Sequence, residues 1–393
     1  MSDPNTNRPG YKETKVGWIP EEWEAKQLGK TITLKRGYDL PHSDRTAGKI
    51  PVVSSAGCIA HHNIAKCSPP GIVTGRYGSI GEVHFINEEY WPLNTTLYGQ
   101  DFHGNHPMFL YHLLSAFNFK QFSDKTGVPG VNRNDLHREL VRRPPLSEQK
   151  KIAEILSTCD EAIEKTSQLI EAKQRQKKAL MQQLLTGKKR LPGFEGEWID
   201  TKLGEICERV TRKNIKNCQN NLTISGPLGL INQEEYFKKR IASKDVSGYF
   251  LLYKGEFAYN KSYCKGYPLG AIKMLHRYNE GVVSTLYICF RLKPKSANPD
   301  FIRHFFESSE FNHELYAIAQ EGARNHGLLN VAPNDFFNTR LTLPSQKEQQ
   351  AISQIMENAQ SEVSTLQQKL ASLRQQKKAL MQKLLTGQVR VKH

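Results

Sequence analysis

A twelve-residue stretch, QKKALMQQLLTG, runs from Gln176 to Gly187 and returns 200 positions later as QKKALMQKLLTG, from Gln376 to Gly387. The two copies differ at a single position, Gln183 against Lys383. So close a repeat at so long a distance marks an internal duplication, and a duplicated chain folds as related halves. A length of 393 residues also exceeds what one hydrophobic core usually supports.

Each copy closes a long amphipathic segment. From Ser147 to about Leu185, the series Ile152, Leu156, Cys159, Ile163, Thr166, Ile170, Lys173, Lys177, Leu180, Leu184 alternates steps of four and three. That is the 3.5-residue period of a coiled-coil seam. The second segment begins near Ser345, which forms a capping box with Glu348. Its seam is Ile352, Met356, Ala359, Val363, Leu366, Leu370, Leu373, Lys377, Leu380 and Leu384, each 200 after its counterpart. Gly187 stands where a helix wants a left-handed C-cap. Each helix would be roughly 58 Å long at 1.5 Å per residue. Matched registers predict an antiparallel intramolecular coiled coil, the halves being related by a pseudo-two-fold axis. The other reading, in which each helix buries its stripe on its own domain, stays open here.

Residues 1–143 read as a mixed α/β (α+β) domain, 144–190 as the first helix, 191–342 as a second domain of the same class, and 343–393 as the second helix. Short β-prone runs (31–35, 50–53, 71–77, 81–86, 93–98) are broken by Gly, Pro and Asn. A helix follows from Pro107, a first-turn proline. Trp198-x4-Leu203-Gly204 echoes Trp23-x4-Leu28-Gly29, and Val331, Asn334 and Asp335 match Val131, Asn134 and Asp135.

Fifty-five basic against 39 acidic residues give +16, which suits a polyanion such as nucleic acid. The segments 150–190 and 347–393 each carry +5, so the charge is not confined to one groove. Seven cysteines without a CxxC pair predict a reducing cytoplasm, and no apolar run is long enough for a membrane span.

Enzyme signatures fail one by one. Gly29-Lys30-Thr31 resembles the end of a P-loop, but Glu24 stands where its first glycine belongs. Gly75-x-x-Gly78-x-x-Gly81 has the wrong spacing for a dinucleotide fingerprint and fits a tight turn or a phosphate contact. No Asn-Pro-Pro-aromatic or Asp-Pro-Pro-aromatic tetrapeptide is present. Cys58, His61, His62 and Cys67 are too irregularly spaced for a zinc site. Glu171-Ala-Lys173 mimics a nuclease motif but lies on the coiled coil. The chain is therefore expected to be non-catalytic and without a metal.

Two unequal heads on a helical ruler suit a split duplex target, because half-sites one turn apart lie roughly 34 Å from each other. A coiled-coil scaffold and an RNA-binding protein are the other classes; no RNP-like aromatic motif is visible, and a scaffold has no need of two different heads. Bases are read by Arg, Lys, Asn and Gln, and phosphates by Lys, Arg and Ser. In the first domain the loop candidates are Lys35, Arg36, Arg76, Tyr77, Ser79, Asn132 and Arg133, Arg76 being free to project from between glycines. In the second they are Arg209, Arg212, Lys213, Asn260, Lys261, Tyr263, Lys265, Arg324, Asn325 and His326. Lys177-Lys178 and Lys377-Lys378 could touch spacer phosphates or an acidic partner surface.

The paired helices, the paired W-x4-L-G openings, the loop Gly75-Arg-Tyr-Gly-Ser-Ile-Gly81 and the doubled entry Pro144-x3-Glu148-Gln149 and Pro344-x3-Glu348-Gln349 together resemble the specificity subunit of Type I restriction-modification enzymes. The resemblance spans essentially the whole chain. It implies two target-recognition domains, each reading one half of an asymmetric bipartite DNA sequence, with the helices setting the spacer. It also implies two modification subunits that use S-adenosylmethionine to methylate adenine. Restriction subunits that translocate and cut, with ATP and magnesium, would complete the assembly. The second domain departs from the pattern: Asn260-Lys-Ser-Tyr-Cys-Lys-Gly-Tyr-Pro-Leu-Gly270 replaces the glycine loop.

Overall fold

The computed structural model describes residues 3, 5–123, 130–226, 228–238, 243, 245–262, 266–321 and 329–391. They fall into two units, one of residues 1–168 with 368–393 and the other of residues 169–367. Each long helix therefore gives its first part to one unit and its last part to the other.

The first unit is built on a four-stranded antiparallel sheet of β1 (Thr33–Arg36), β2 (Gly71–Gly75), β3 (Val83–Ile86) and β4 (Thr96–Asp101), in the order β1-β4-β2-β3. β2 is buried along its whole length, as a central strand of Ile, Val and Thr between two glycines should be. It stops at Gly75 rather than continuing to Tyr77, because the amides of Arg76 and Tyr77 turn to donate to the Thr95 carbonyl. A smaller sheet joins Ile50–Ser54 to Gly57–His62 and, in parallel, to Trp91–Pro92. Helix α1 (Pro107–Ser115) opens on its proline and buries Phe109, Leu110, Leu113 and Leu114. Helix α2 (Arg133–Arg138) is capped by the Asn132 side chain, which accepts from the Asn134 amide at 2.9 Å.

The second unit repeats this order with β5 (Cys207–Arg209), β6 (Phe257–Asn260), β7 (Ala271–Met274) and β8 (Ile288–Leu292), arranged β5-β8-β6-β7. Two further antiparallel pairs, Leu222–Ser225 with Gly229–Asn232 and Phe250–Tyr253 with Glu280–Val283, enlarge it.

Helix α3 (Leu146–Leu184) and, after α4 (Pro299–Glu307) and α5 (Pro333–Asn338) of the second unit, helix α6 (Gln346–Leu385) lie within a residue or two of the bounds expected from the repeat. α6 starts beneath the Ser345 hydroxyl, which accepts from the Glu348 amide at 3.3 Å. Gly187 adopts φ +70°, as a helix-ending glycine should. Within each unit the helix segments run antiparallel. In the first, Asp160 pairs with Lys377 and Glu148 with Arg390. In the second, Lys173 pairs with Glu362 at 2.7 Å and Lys177 donates to Gln360 at 2.6 Å.

The seam positions Ile152, Leu156, Ile163, Ile170, Leu180 and Leu184 on α3, and Ile352, Met356, Val363, Leu366, Leu370, Leu373, Leu380 and Leu384 on α6, are all buried or half-buried. Their ends do more than meet a helix. Ile152 and Leu156 share one domain core with Trp23, Leu28, Leu384 and Leu385, and Ile352 and Met356 share another with Leu203, Leu184 and Leu185. Each fully buried leucine there contributes about 1.5–3 kcal/mol.

Beneath the first helix segment sits His112, fully buried on α1, with its Nδ1 3.9 Å from Asp160. Burial, reinforced by Lys377 and opposed by Asp160, pushes its pKa down to about 4. The unfolded imidazole takes its proton near pH 6.5, so the folded state loses stability as the pH falls from there towards 4. The loss should reach about 3 kcal/mol. His112→Leu should flatten that part of a urea-midpoint titration, and an unchanged acid limb would refute the assignment to His112.

Candidate nucleic-acid interface

The Glu-Gln doublet at each helix entry is a structural clamp. Glu148, fully buried, accepts from Arg390 Nε at 2.9 Å, from Arg390 Nη2 at 3.0 Å and from Trp23 Nε1 at 2.8 Å. Its counterpart Glu348 accepts from Arg190 Nε and Nη2, both at 2.7 Å. Gln149 accepts from the His106 amide and donates to the Pro144 carbonyl, and Gln349 does the same with Asn298 and Pro344. Sequence reasoning missed Arg190 and Arg390. Their signal was present, since both stand three residues beyond the closing glycines of the repeat.

Lys177 and Lys377, offered above as spacer or partner contacts, are corrected by these helix pairings. Lys177 donates to Gln360 and Lys377 pairs with Asp160, whereas Lys178 and Lys378 are exposed. A lysine on the seam reaches the facing helix before it can reach solvent. Lys173, which also stands on the seam, faces Glu362 rather than bulk water alone.

In the first unit two of the candidate cations, Arg36 and Arg76, stand at one end of the sheet. Arg36 ends β1 opposite Leu97, and Arg76 follows β2. The Thr95 carbonyl accepts from the amides of Arg76 (2.9 Å) and Tyr77 (3.1 Å), so the turn before β4 carries the Arg76 loop. Tyr77 bridges to Gly130, and the Val131 amide donates to the Arg76 carbonyl at 2.9 Å, which brings Asn132 and Arg133 alongside. Gly78 and Gly81 adopt φ +78° and +93°, the left-handed region that makes glycine the natural residue in this turn.

Arg76 does not project freely. Its guanidinium lies 4.7 Å over the Tyr77 ring, held by a cation–π contact. Arg36 pairs with Asp39, Lys35 is half-buried, Arg133 is exposed and Ser79 is half-buried in the loop. The Asn132 side chain is occupied as the α2 cap. The Cys58-to-Cys67 segment holds no group of three potential metal ligands among the described residues.

The second unit assembles fewer of its candidates. Arg209 ends β5 opposite Phe290, the place Arg36 holds in β1, and it is exposed. Asn260 ends β6 and Lys261 follows it, the place Arg76 holds after β2. Lys261 donates weakly to the Val331 carbonyl at 3.4 Å, and burial together with the nearby Arg209 holds its pKa below the usual lysine range. Among the described residues no carboxylate pairs with either cation.

Arg212 is drawn inward. It donates to both oxygens of Glu256, at 3.0 and 3.2 Å, and stacks 4.3 Å over Tyr253. Lys213 donates to the Gly248 carbonyl at 2.8 Å. Tyr263, Lys265, Arg324, Asn325 and His326 lie outside the described residues.

Residues 20–174 match the family model described as the Type I restriction modification DNA specificity domain. Along its length the chain is 24% identical to the Type I restriction enzyme MjaVIII specificity subunit of Methanocaldococcus jannaschii, covering 98% of this chain and 96% of that one. It is 22% identical to the putative MjaX specificity subunit of the same organism, covering 97% of each. Among solved structures it resembles the Type-I restriction-modification S subunit from M. genitalium, with a TM-score of 0.61, 15% identity and coverage of 92% and 96%. A second structure, of a type I R-M system, is similar with a TM-score of 0.53, 15% identity and coverage of 94% and 99%.

Proposed function

Because the chain belongs to the family of Type I restriction-modification specificity subunits, we propose that it reads an asymmetric bipartite DNA sequence, one half with each domain. In this reading residues 1–143 and 191–342 are the two target-recognition domains, and residues 144–190 and 343–393 set the unspecified spacer. Two modification subunits then methylate adenine with S-adenosylmethionine, and restriction subunits use ATP and magnesium to translocate and cut. The chain itself contributes recognition and no catalytic group.

The observation that carries this is the duplicated sheet. The order β1-β4-β2-β3 recurs as β5-β8-β6-β7, with Arg36 and Arg209 ending the matched edge strands. The loops that follow β2 and β6 differ in sequence. Equal scaffolds with unlike reading loops are what two unlike half-sites require.

The test is methylation mapping of plasmid DNA from cells expressing this chain with its modification partner. A modified adenine in each half of one split, asymmetric motif supports the reading; a single continuous site, or no methylation, overturns it. Arg76→Ala should slow methylation about tenfold or more by removing one base or phosphate contact, while the subunit assembly elutes unchanged. Unaltered kinetics would remove Arg76 from the interface.

A further inference from the structure

Resting on that reading, we propose that Asp39 is a positioning residue that aims the Arg36 guanidinium at a guanine in the half-site read by the first domain. Arg36 Nη2 lies 3.1 Å from each oxygen of Asp39. The same carboxylate accepts from the Asn94 side-chain amide. The anchor is built by the backbone. Tyr38 bridges to Leu93, its amide donating to the Pro92 carbonyl at 2.8 Å, and the Gly37 amide donates to the Thr96 carbonyl at 3.1 Å. Gly37 lies so close to the Leu93 carbonyl that a Cβ there would collide with it. Asp39 therefore has its place set by main-chain pairing and not by Arg36.

One turn then serves two candidate readers. Asn94 steadies Asp39, and the next residue, Thr95, accepts from the amides of Arg76 and Tyr77. Arg36 and Arg76, forty positions apart in the chain, are registered to each other through Asn94 and Thr95.

An arginine on a free stem loses several rotors when it docks on a base. A carboxylate that shares one hydrogen of a terminal nitrogen removes much of that loss and leaves Nη1 and the second Nη2 hydrogen, which form one edge of the guanidinium, to donate to guanine O6 and N7. The bland alternative is a solvated surface ion pair, since the side chains are 51% and 61% exposed. Such a pair adds little to folding, so replacing Asp39 leaves the fold intact and any effect on base choice comes from aiming.

The experiment uses the chain in complex with its modification subunits and a plasmid library randomised across both half-sites. Methylation is read by sequencing for Asp39→Asn, Arg36→Ala and the double variant. Asp39→Asn should lose about tenfold in discrimination at one base pair of one half-site. The other half-site and the spacer should be unchanged. Arg36→Ala should relax the same base pair, and the double variant should lose nothing more. Full discrimination in Asp39→Asn, or a further loss on adding it to Arg36→Ala, overturns the proposal. A parental complex that methylates no bipartite motif overturns the wider reading as well, so the two failures are told apart.

Discussion

Inserting one heptad into both long helices, after Gln168 and after Gln368, should move the methylated half-sites about three base pairs further apart and leave both half-sequences unchanged. Seven residues add about 10.5 Å of helix, against about 3.4 Å per base pair of DNA. The first insertion point is where α3 leaves the first unit, and the second lies one residue past where α6 enters it. A seven-residue step keeps the seam facing its partner, leaving only about 20° of drift. Three base pairs also carry the second half-site roughly a quarter-turn or more around the duplex, so methylation at the new spacing should be slower than in the parent. Three heptads, about 31 Å, approach one full turn of DNA and should recover rate at a spacer longer by nine or ten base pairs. Methylation mapping of the insertion variants decides it, and a spacing that stays at the parental value would exclude the helices as the ruler.

Arg390→Met should destabilise the chain by about 3–5 kcal/mol, because it leaves the buried Glu148 carboxylate without its cation. Among the described residues, only Trp23 Nε1 and the Val391 amide would remain to donate to it, at 2.8 and 3.4 Å. The same change frees the helix end whose Leu384 and Leu385 sit in the first unit's core. That end is also strapped by the Tyr11 hydroxyl on the Gly387 carbonyl (2.5 Å) and by Arg8 on the Gln388 carbonyl (2.8 Å). Neither contact neutralises Glu148. The double variant Glu148→Leu with Arg390→Met should regain part of the loss, since no unpaired charge stays buried. Denaturant midpoints measure both. A single variant within about 1 kcal/mol of the parent would mean the carboxylate finds water or another donor.

The second clamp is built differently. Trp198 Nε1 has no hydrogen-bond partner among the described residues, and Arg190 lies 5.8 Å over the Trp198 ring instead. Among the described residues Glu348 thus has Arg190 as its one side-chain donor, whereas Glu148 has two, Arg390 and Trp23.

The sequence by itself determined the duplication, the bounds of α3 and α6, their caps and their seams. Those features are local: a 3.5-residue period, a serine three residues before a glutamate and a glycine past the last turn act within a few residues of chain. It also marked Arg36, Arg76, Arg209 and Lys261 as candidates, by residue type and loop context. Only the tertiary structure decided which of them meet. Arg36 reaches Arg76 through strand β4, which follows both in the chain yet lies between β1 and β2 in the sheet. Arg212 is turned inward by Glu256, 44 positions away, and Glu148 is closed by Arg390, 242 positions away. Pairing at such distances depends on sheet order and on which helix end fills which core, and neither leaves a periodic trace in the chain.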